Sequence, residues 1–269
     1  MKKLLLGALM LASIFTSCSD DSDNNVGSGL VQMKQTTYDE SGAIEEKFTL
    51  NYQGGKPATA DSFTPNGILT SHTLFAYEAG VLRGTMTYSP SNTLLSSTEY
   101  TYDNMGRIMS VTAQEDDYLM QTAYAFNSDN TITATMNGAA IRTFYLNSAG
   151  LIYKEVSTTS SYELTYNGTN PVSATHSFGG TTTFTYDEQH DFALLGTQPL
   201  YGSYQPNEVL AARYLQDANT YAATKYLIAE TSPSYSSTYV YTFDGQGRPA
   251  TRKDFGNGVL QSEVEYVYE

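Results

Sequence analysis

Along most of this chain hydrophobic and polar residues alternate with a period of two. Phe48, Leu50 and Tyr52 share one face, as do Thr73, Phe75 and Tyr77. Tyr124 with Phe126, and Tyr162, Leu164 and Tyr166, repeat the pattern, and Leu82, Met86 and Tyr88 continue it around Gly84. In the last run Leu260, Ser262, Val264, Tyr266 and Tyr268 alternate with Val259, Gln261, Glu263, Glu265 and Val267. A two-residue period sustained over such lengths sets one face on a core and the other in water, which is the pattern of strands.

Turn formers separate the runs. They include Gly54-Gly55, Pro65-Asn66-Gly67, Ser89-Pro90, Asp116-Asp117, Asn137-Gly138, Gly179-Gly180 and Asn257-Gly258. Each supplies a positive φ or a preset one, as tight hairpins require. Connections this short join antiparallel neighbours, because a parallel crossover needs a dozen or more residues. The predicted fold class is all-β, an antiparallel meander of about a dozen or more strands. Left flat, such a sheet would expose two long edges. It is therefore expected to curl into a wide β-barrel, or towards one, with full closure the preferred outcome.

One unit punctuates the meander. Its clearest copy is Tyr100-Thr101-Tyr102-Asp103-Asn104-Met105-Gly106-Arg107-Ile108: alternating aromatics, Tyr-Asp, a glycine, and an aliphatic residue opening the next run. Looser copies begin at Tyr38-Asp39, Tyr77-Glu78, Tyr145-Leu146-Asn147 and Phe243-Asp244, and faint ones at Asn127, Asn167 and Asp187. The stretch 190–221 breaks the repeat. It holds Pro199 and Pro206, then Asn207 as an N-cap before Leu210, Tyr214, Ala211 and Leu215 at helical spacing. An irregular insertion with one short helix is predicted there, as a lid over the barrel mouth or as a structural cap.

The N-terminus carries an address. Lys2 and Lys3 precede an apolar stretch, Leu4 to Phe15, too short to span a bilayer. Thr16 and Ser17 then lead to Cys18, the one cysteine of the chain. We read 1–17 as a lipoprotein signal peptide and Cys18 as the lipidated first residue of the mature protein. Residues 18–33 form an acidic flexible tether, and 34–269 form a single β domain. Asp21, Asp23 and Asn25 have the alternate spacing of calcium ligands, but Val26 stands where the loop glycine belongs and Gln32 where the bidentate glutamate belongs. A solvated linker is the better reading.

The 269 residues include 28 acidic and 14 basic side chains. Losing Lys2 and Lys3 with the signal peptide leaves 12 basic residues, and a chain so negative repels phosphate backbones, which excludes nucleic acid as a partner. Tyrosine is abundant at 23 and tryptophan is absent. Most of the tyrosines are expected in cross-strand pairs that bury a ring and wet a hydroxyl.

Candidate chemistry is sparse. His72, His176 and His190 form no metal-binding spacing, and His176 is expected in a buried or half-buried strand position with Val172, Ala174 and Phe178. No nucleophile elbow or phosphate-cradling loop occurs, so no catalytic residue, metal ligand or cofactor is assigned. Glu115, Asp116 and Asp117 form a carboxylate cluster that reads as an exposed hairpin loop. Tyr201, Tyr204, Tyr214 and Tyr221 lie outside the strand pattern and are the candidate ligand-binding residues, as platforms for sugar rings.

Tyr102-Asp103 through Ile108, with the blurred copy Phe243 to Pro249, resembles the YD repeat of Rhs-type proteins, whose units are β-hairpins. The Cys-Ser-Asp-Asp start, the degenerate Tyr-Asp hairpins, and Tyr186-Asp187 followed by Asp191-Phe192-Ala193-Leu194-Leu195 together resemble a family of Bacteroidetes surface lipoproteins with a porin-like fold. That resemblance implies a wide β-barrel and implies no activity. A membrane-spanning porin is not expected, because Glu99, Thr101, Thr165, Glu263 and Glu265 occupy the faces opposite the aromatics and would meet lipid. The expected protein is an outer-membrane lipoprotein, exposed on the cell surface and held to the membrane through Cys18. It serves as a non-enzymatic binding or envelope-structural module, with a glycan or another surface protein as partner. Two alternatives are a glycan-capture accessory lipoprotein and a hydrolase with paired carboxylates inside the barrel.

Overall fold

A computed structural model describes residues 29–191 and 225–269. Strands β1 (Leu30–Tyr38), β2 (Ile44–Gln53), β3 (Lys56–Phe63), β4 (Leu69–Glu78), β5 (Val81–Tyr88) and β6 (Leu94–Tyr102) open the chain. They are followed by β7 (Ile108–Glu115), β8 (Tyr118–Phe126), β9 (Thr131–Met136), β10 (Ala139–Leu146), β11 (Ile152–Ser157) and β12 (Ser161–Asn167). The last six are β13 (Asn170–His176), β14 (Thr181–Asp191), β15 (Lys225–Thr231), β16 (Ser236–Phe243), β17 (Pro249–Gly256) and β18 (Val259–Tyr268). Each strand pairs antiparallel with its neighbours in sequence, and β1 pairs with β18, so the 18-stranded sheet closes into a barrel. No helix occurs among the described residues. His190 and Asp191 end β14, and the rest of the 190–221 insertion, with its predicted helix, lies outside them.

Burial sorts the two faces. Inward residues form three apolar clusters along the wall. The largest joins Leu82, Tyr100, Ile108, Val111, Ile132 and Phe144 across β5 to β10. Others centre on Leu164, Phe184 and Leu227, and on Leu30, Val264 and Tyr266. The outer face carries cross-strand hydroxyl pairs such as Thr101–Ser110 at 2.6 Å and Thr242–Thr251 at 2.7 Å, with ion pairs between them.

We call the end where β1 begins the upper end. The Tyr-Asp unit proves to be a five-residue turn with a fixed set of bonds. At 103–107 the Asp103 N–H donates to the Arg107 carbonyl, and the Gly106 N–H donates to the Asp103 carbonyl. Asp103 Oδ1 accepts the N–H groups of Met105 and Arg107, both at 2.9 Å, and Gly106 takes φ 78°. A carboxylate so placed caps donors that the turn takes out of the ladder. The same turn recurs at 39–43, 147–151 and 244–248 around Asp39, Asn147 and Asp244. It also forms at 64–68 and 89–93, where the hydroxyls of Thr64 and Ser89 replace the carboxylate. Tyr77-Glu78-Ala79-Gly80 is not a copy, because Ala79 (φ 49°) and Gly80 (φ 78°) make a two-residue hairpin turn.

A bulge follows most of these turns. Tyr102 faces Ile108, but Thr101 faces Ser110, so one residue is skipped. Tyr77 faces Leu82 and Ala76 faces Gly84 in the same way, and the skipped Arg83 reverses the parity of β5. Leu82 therefore points inward with Tyr77, while Met86 lies opposite Leu74 on the other face, which separates residues that strict alternation places together. At the upper end the tyrosine hydroxyls are not wet. Tyr102 donates to the Leu82 carbonyl (2.7 Å), Tyr166 to Ile152 (2.6 Å), Tyr186 to Pro171 (2.8 Å) and Tyr268 to Pro249 (2.8 Å). In each case the ladder has just ended, at Gly84–Glu99, Lys154–Glu163, Ser173–Thr183 and Thr251–Glu265. The tyrosine three residues further on reaches the carbonyl two residues back and satisfies it.

Removing one such hydroxyl leaves a carbonyl short of a donor at the barrel end. Tyr166→Phe is expected to cost about 1 kcal/mol, read as a thermal midpoint lower by about 2–4 °C in a domain of this size. The turn carboxylates make stability acid-sensitive. Hydrogen bonds from the Ser41 hydroxyl and the Ala43 N–H hold Asp39 below the ordinary carboxylate range, and those from the Arg248 N–H and side chain do so at Asp244. At Asp103 desolvation acts upward and is outweighed by the donors of Arg107 and Met105. Groups with depressed values contribute above the unfolded pKa of about 3.9 and lose that contribution as pH falls. The midpoint should therefore drop between about pH 4 and pH 2. Asp103→Asn, which keeps the Oδ1 acceptor used by Asn147, should fold with a smaller acid drop, and Asp103→Ala should be less stable at every pH.

Candidate interior binding site

On the inner face of β15 to β18 and β1 the aromatic lining gives way to polar residues. Arg252 on β17 is 7% exposed. Its Nε and Nη2 donate to Oδ1 and Oδ2 of Asp254 at 2.7 and 2.8 Å, a two-point pair within one strand because residues two apart share a face. Ser262, directly across on β18, donates its hydroxyl to Asp254 Oδ2 at 2.6 Å. Arg252 also lies 6.0 Å from the centre of the Tyr239 ring. The charges of the pair therefore cancel, and both carboxylate oxygens are engaged.

A cavity of about 500 Å³ opens beside this pair. Its wall includes Gln35, Glu230, Ser237, Tyr239 and Tyr241, and it reaches the lower rim at Tyr235 and Gln261. The Tyr235 hydroxyl donates to Gln261 Oε1 at 3.2 Å. Gly256 makes that contact possible, since a Cβ there would run into the Gln261 amide and the Tyr235 hydroxyl. Glu230 sits opposite Ser237 and Phe184 on the inner face. Burial pushes its carboxyl above the ordinary range, and burial together with the Glu230 charge pushes Tyr239 up to about 12. Above the cavity Tyr226, Tyr241 and Phe243 pack ring to ring, with His190 stacked on Phe243 at 3.7 Å. A second inner ion pair, Arg142 with Glu155 at 3.1 Å, lies on β10 and β11.

The residues singled out by sequence fall elsewhere. Cys18, Tyr201, Tyr204, Tyr214 and Tyr221 lie outside the described residues. Glu115, Asp116 and Asp117 form the exposed end of the β7–β8 hairpin, as expected. His176 is exposed instead of buried, because β13 ends there and the turn into β14 carries Phe178 to 80% exposure. His72 pairs with Asp61 on the outer face, and His190 with Asp187 at 2.6 Å. Among the described residues no cluster of histidine, aspartate and glutamate could hold a metal ion. Sequence reasoning missed Glu230, Arg252 and Asp254. The one signal for Arg252 and Asp254 was a strand, Thr251 to Phe255, whose inward positions are charged where most other strands place aromatic or aliphatic residues, and Glu230 on β15 had none.

No protein-family model matches the chain, and no curated protein matches it in sequence. Among solved structures it is similar to a porin-like protein from Bacteroides uniformis, at 13% identity and TM-score 0.47, over 89% of this chain and 96% of that one. It is also similar to a porin-like protein from Bacteroides vulgatus, at 11% identity and TM-score 0.35, over 89% and 98%. A likeness to the Photorhabdus luminescens Tc holotoxin pore has 16% identity and TM-score 0.26, over 82% of this chain and 13% of that one.

The Arg252–Asp254 pair can be broken from one side or removed whole. Arg252→Ala strands a buried carboxylate and is expected to cost about 3–5 kcal/mol. Replacing both partners at once, as Arg252→Met with Asp254→Leu, should recover most of that loss in thermal unfolding.

Proposed function

We propose that the chain is a lipoprotein of the outer membrane, displayed on the cell surface, whose barrel stands in water as a non-enzymatic binding or envelope module. The observation that carries this reading is the outer wall. Midway along the strands it holds Lys34 with Glu265 at 3.5 Å and Lys253 with Glu263 at 2.7 Å. A barrel in lipid needs an apolar band at that height, and a lysine at the bilayer midplane costs about 2–4 kcal/mol. The apolar clusters face inward, the reverse of what lipid selects. Among the described residues no helix is long and apolar enough to cross a membrane.

On this reading attachment falls to Cys18 and its acidic tether. The chain enters the barrel at the upper end through Gly29 and Leu30, so the lower rim, where the cavity opens, is the far end from the anchor. The recurrent Tyr-Asp turns are taken, in the same proposal, as degenerate YD units used one hairpin at a time.

Cys18→Ala should move the protein from the membrane fraction to the soluble fraction and abolish labelling by radioactive palmitate, with the thermal midpoint unchanged. Protease added to intact cells should cleave the wild type. A Cys18→Ala protein that stays with the membrane would mean that the barrel wall itself inserts.

A further inference from the structure

We infer that the cavity beside Glu230 is a binding site for a neutral, hydroxyl-rich ligand, a saccharide of one or two rings. The inference rests on the surface-display reading only in taking the ligand to arrive from outside the cell. Its volume of about 500 Å³ lies in the range of small-molecule sites.

The chemistry of the wall narrows the ligand class. Glu230 points inward, and among the described residues no hydrogen bond or ion pair reaches its carboxyl group, although burial disfavours its charge. A half-buried carboxylate without donors is costly, and a ligand offering adjacent hydroxyls would supply them. Among the described residues of the wall the one cation is Arg252, and its guanidinium is bound at two points by Asp254, which leaves it poorly placed to meet an anionic ligand. A cationic amine drawn to Glu230 would share the wall with the Arg252 guanidinium, which repels it, and burial disfavours the carboxylate charge that it would need. Beside Glu230 the wall offers uncharged groups: the hydroxyl of Ser237, the amide of Gln35, and the rings of Tyr239 and Tyr241, against which the C–H face of a sugar ring can lie.

The same geometry favours capture over hydrolysis. A glycosidase needs two working carboxyl groups. Asp254 has both oxygens committed to Arg252 and Ser262, which leaves Glu230 as the one uncommitted carboxyl among the described residues of the wall.

The test is isothermal titration of the full lipidated protein, extracted in a zwitterionic, sugar-free detergent. Cellobiose, maltose, xylobiose, mannobiose and N,N′-diacetylchitobiose are the probes, and cadaverine is the cationic control. Binding of at least one disaccharide with a dissociation constant of about 1 mM or below is expected. Glu230→Gln and Tyr239→Ala should each weaken it about tenfold or more, with both variants shown to be folded by their thermal midpoints. The inference is overturned if no disaccharide binds, if the binding found is indifferent to Glu230→Gln, or if cadaverine alone binds. Because the titration uses purified protein, its failure is separable from a failure of surface display, which fractionation and protease access report.

Discussion

Backbone hydrogen bonding around a closed ring is the constraint on which the rest of this structure depends. Every strand has two neighbours, so no edge is left to pair with another chain. The ring holds only if β1 meets β18 in register, from Thr37 opposite Ser262 to Leu30 opposite Tyr268, across nearly the whole length of the sequence. The Glu269 N–H donates to the Gly29 carbonyl at 2.8 Å and extends that seam by one bond. Every other pairing joins strands that are neighbours in sequence, all through short turns except β14 with β15 across the insertion, so the seam is the pairing that waits for both ends of the barrel to be made.

Closure also creates the difficulty that the turns solve. Where a ladder stops, carbonyl and N–H groups at the barrel ends lose their partners. Asp103, Asn147 and Asp244 answer the N–H groups, and the hydroxyls of Tyr102, Tyr166, Tyr186 and Tyr268 answer the carbonyls. The tyrosine content thus has a structural cause: an inward ring for the apolar lining and a polar tip for the frayed ladder above it. Inside, the wall departs from that rule mainly where Glu230, Arg252 and Asp254 replace aromatics, and there the cavity lies.

How far the sequence spoke depended on the range of the interaction. The period of two, the short connections and the Tyr-Asp turns are local, and they were enough for an antiparallel meander and for the expectation that it closes. The residue skipped at Arg83 was hidden, because a bulge is set by what lies across the ladder, and it reversed the facing of Met86. His176 was misplaced for a related reason: alternation predicts a face only while the strand continues. Thr64 and Ser89 stood unrecognised beside Asp39 because a hydroxyl does the work of the carboxylate there. The interior site was illegible, since it joins β1 to β15–β18, and no spacing in the chain announces that those walls meet.

The local character of the hairpins has a consequence for how such proteins change size. Each five-residue turn closes with its own cap and its own bulge, and the hydroxyls of Tyr102, Tyr166, Tyr186 and Tyr268 reach only the strand beside them. A hairpin can therefore be duplicated or lost without disturbing the bonds of the others. The circumference then changes by two strand widths, about 10 Å. Copy number becomes the gauge of the bore, and lineages that add or drop a unit would resize the compartment while reusing every part of its wall.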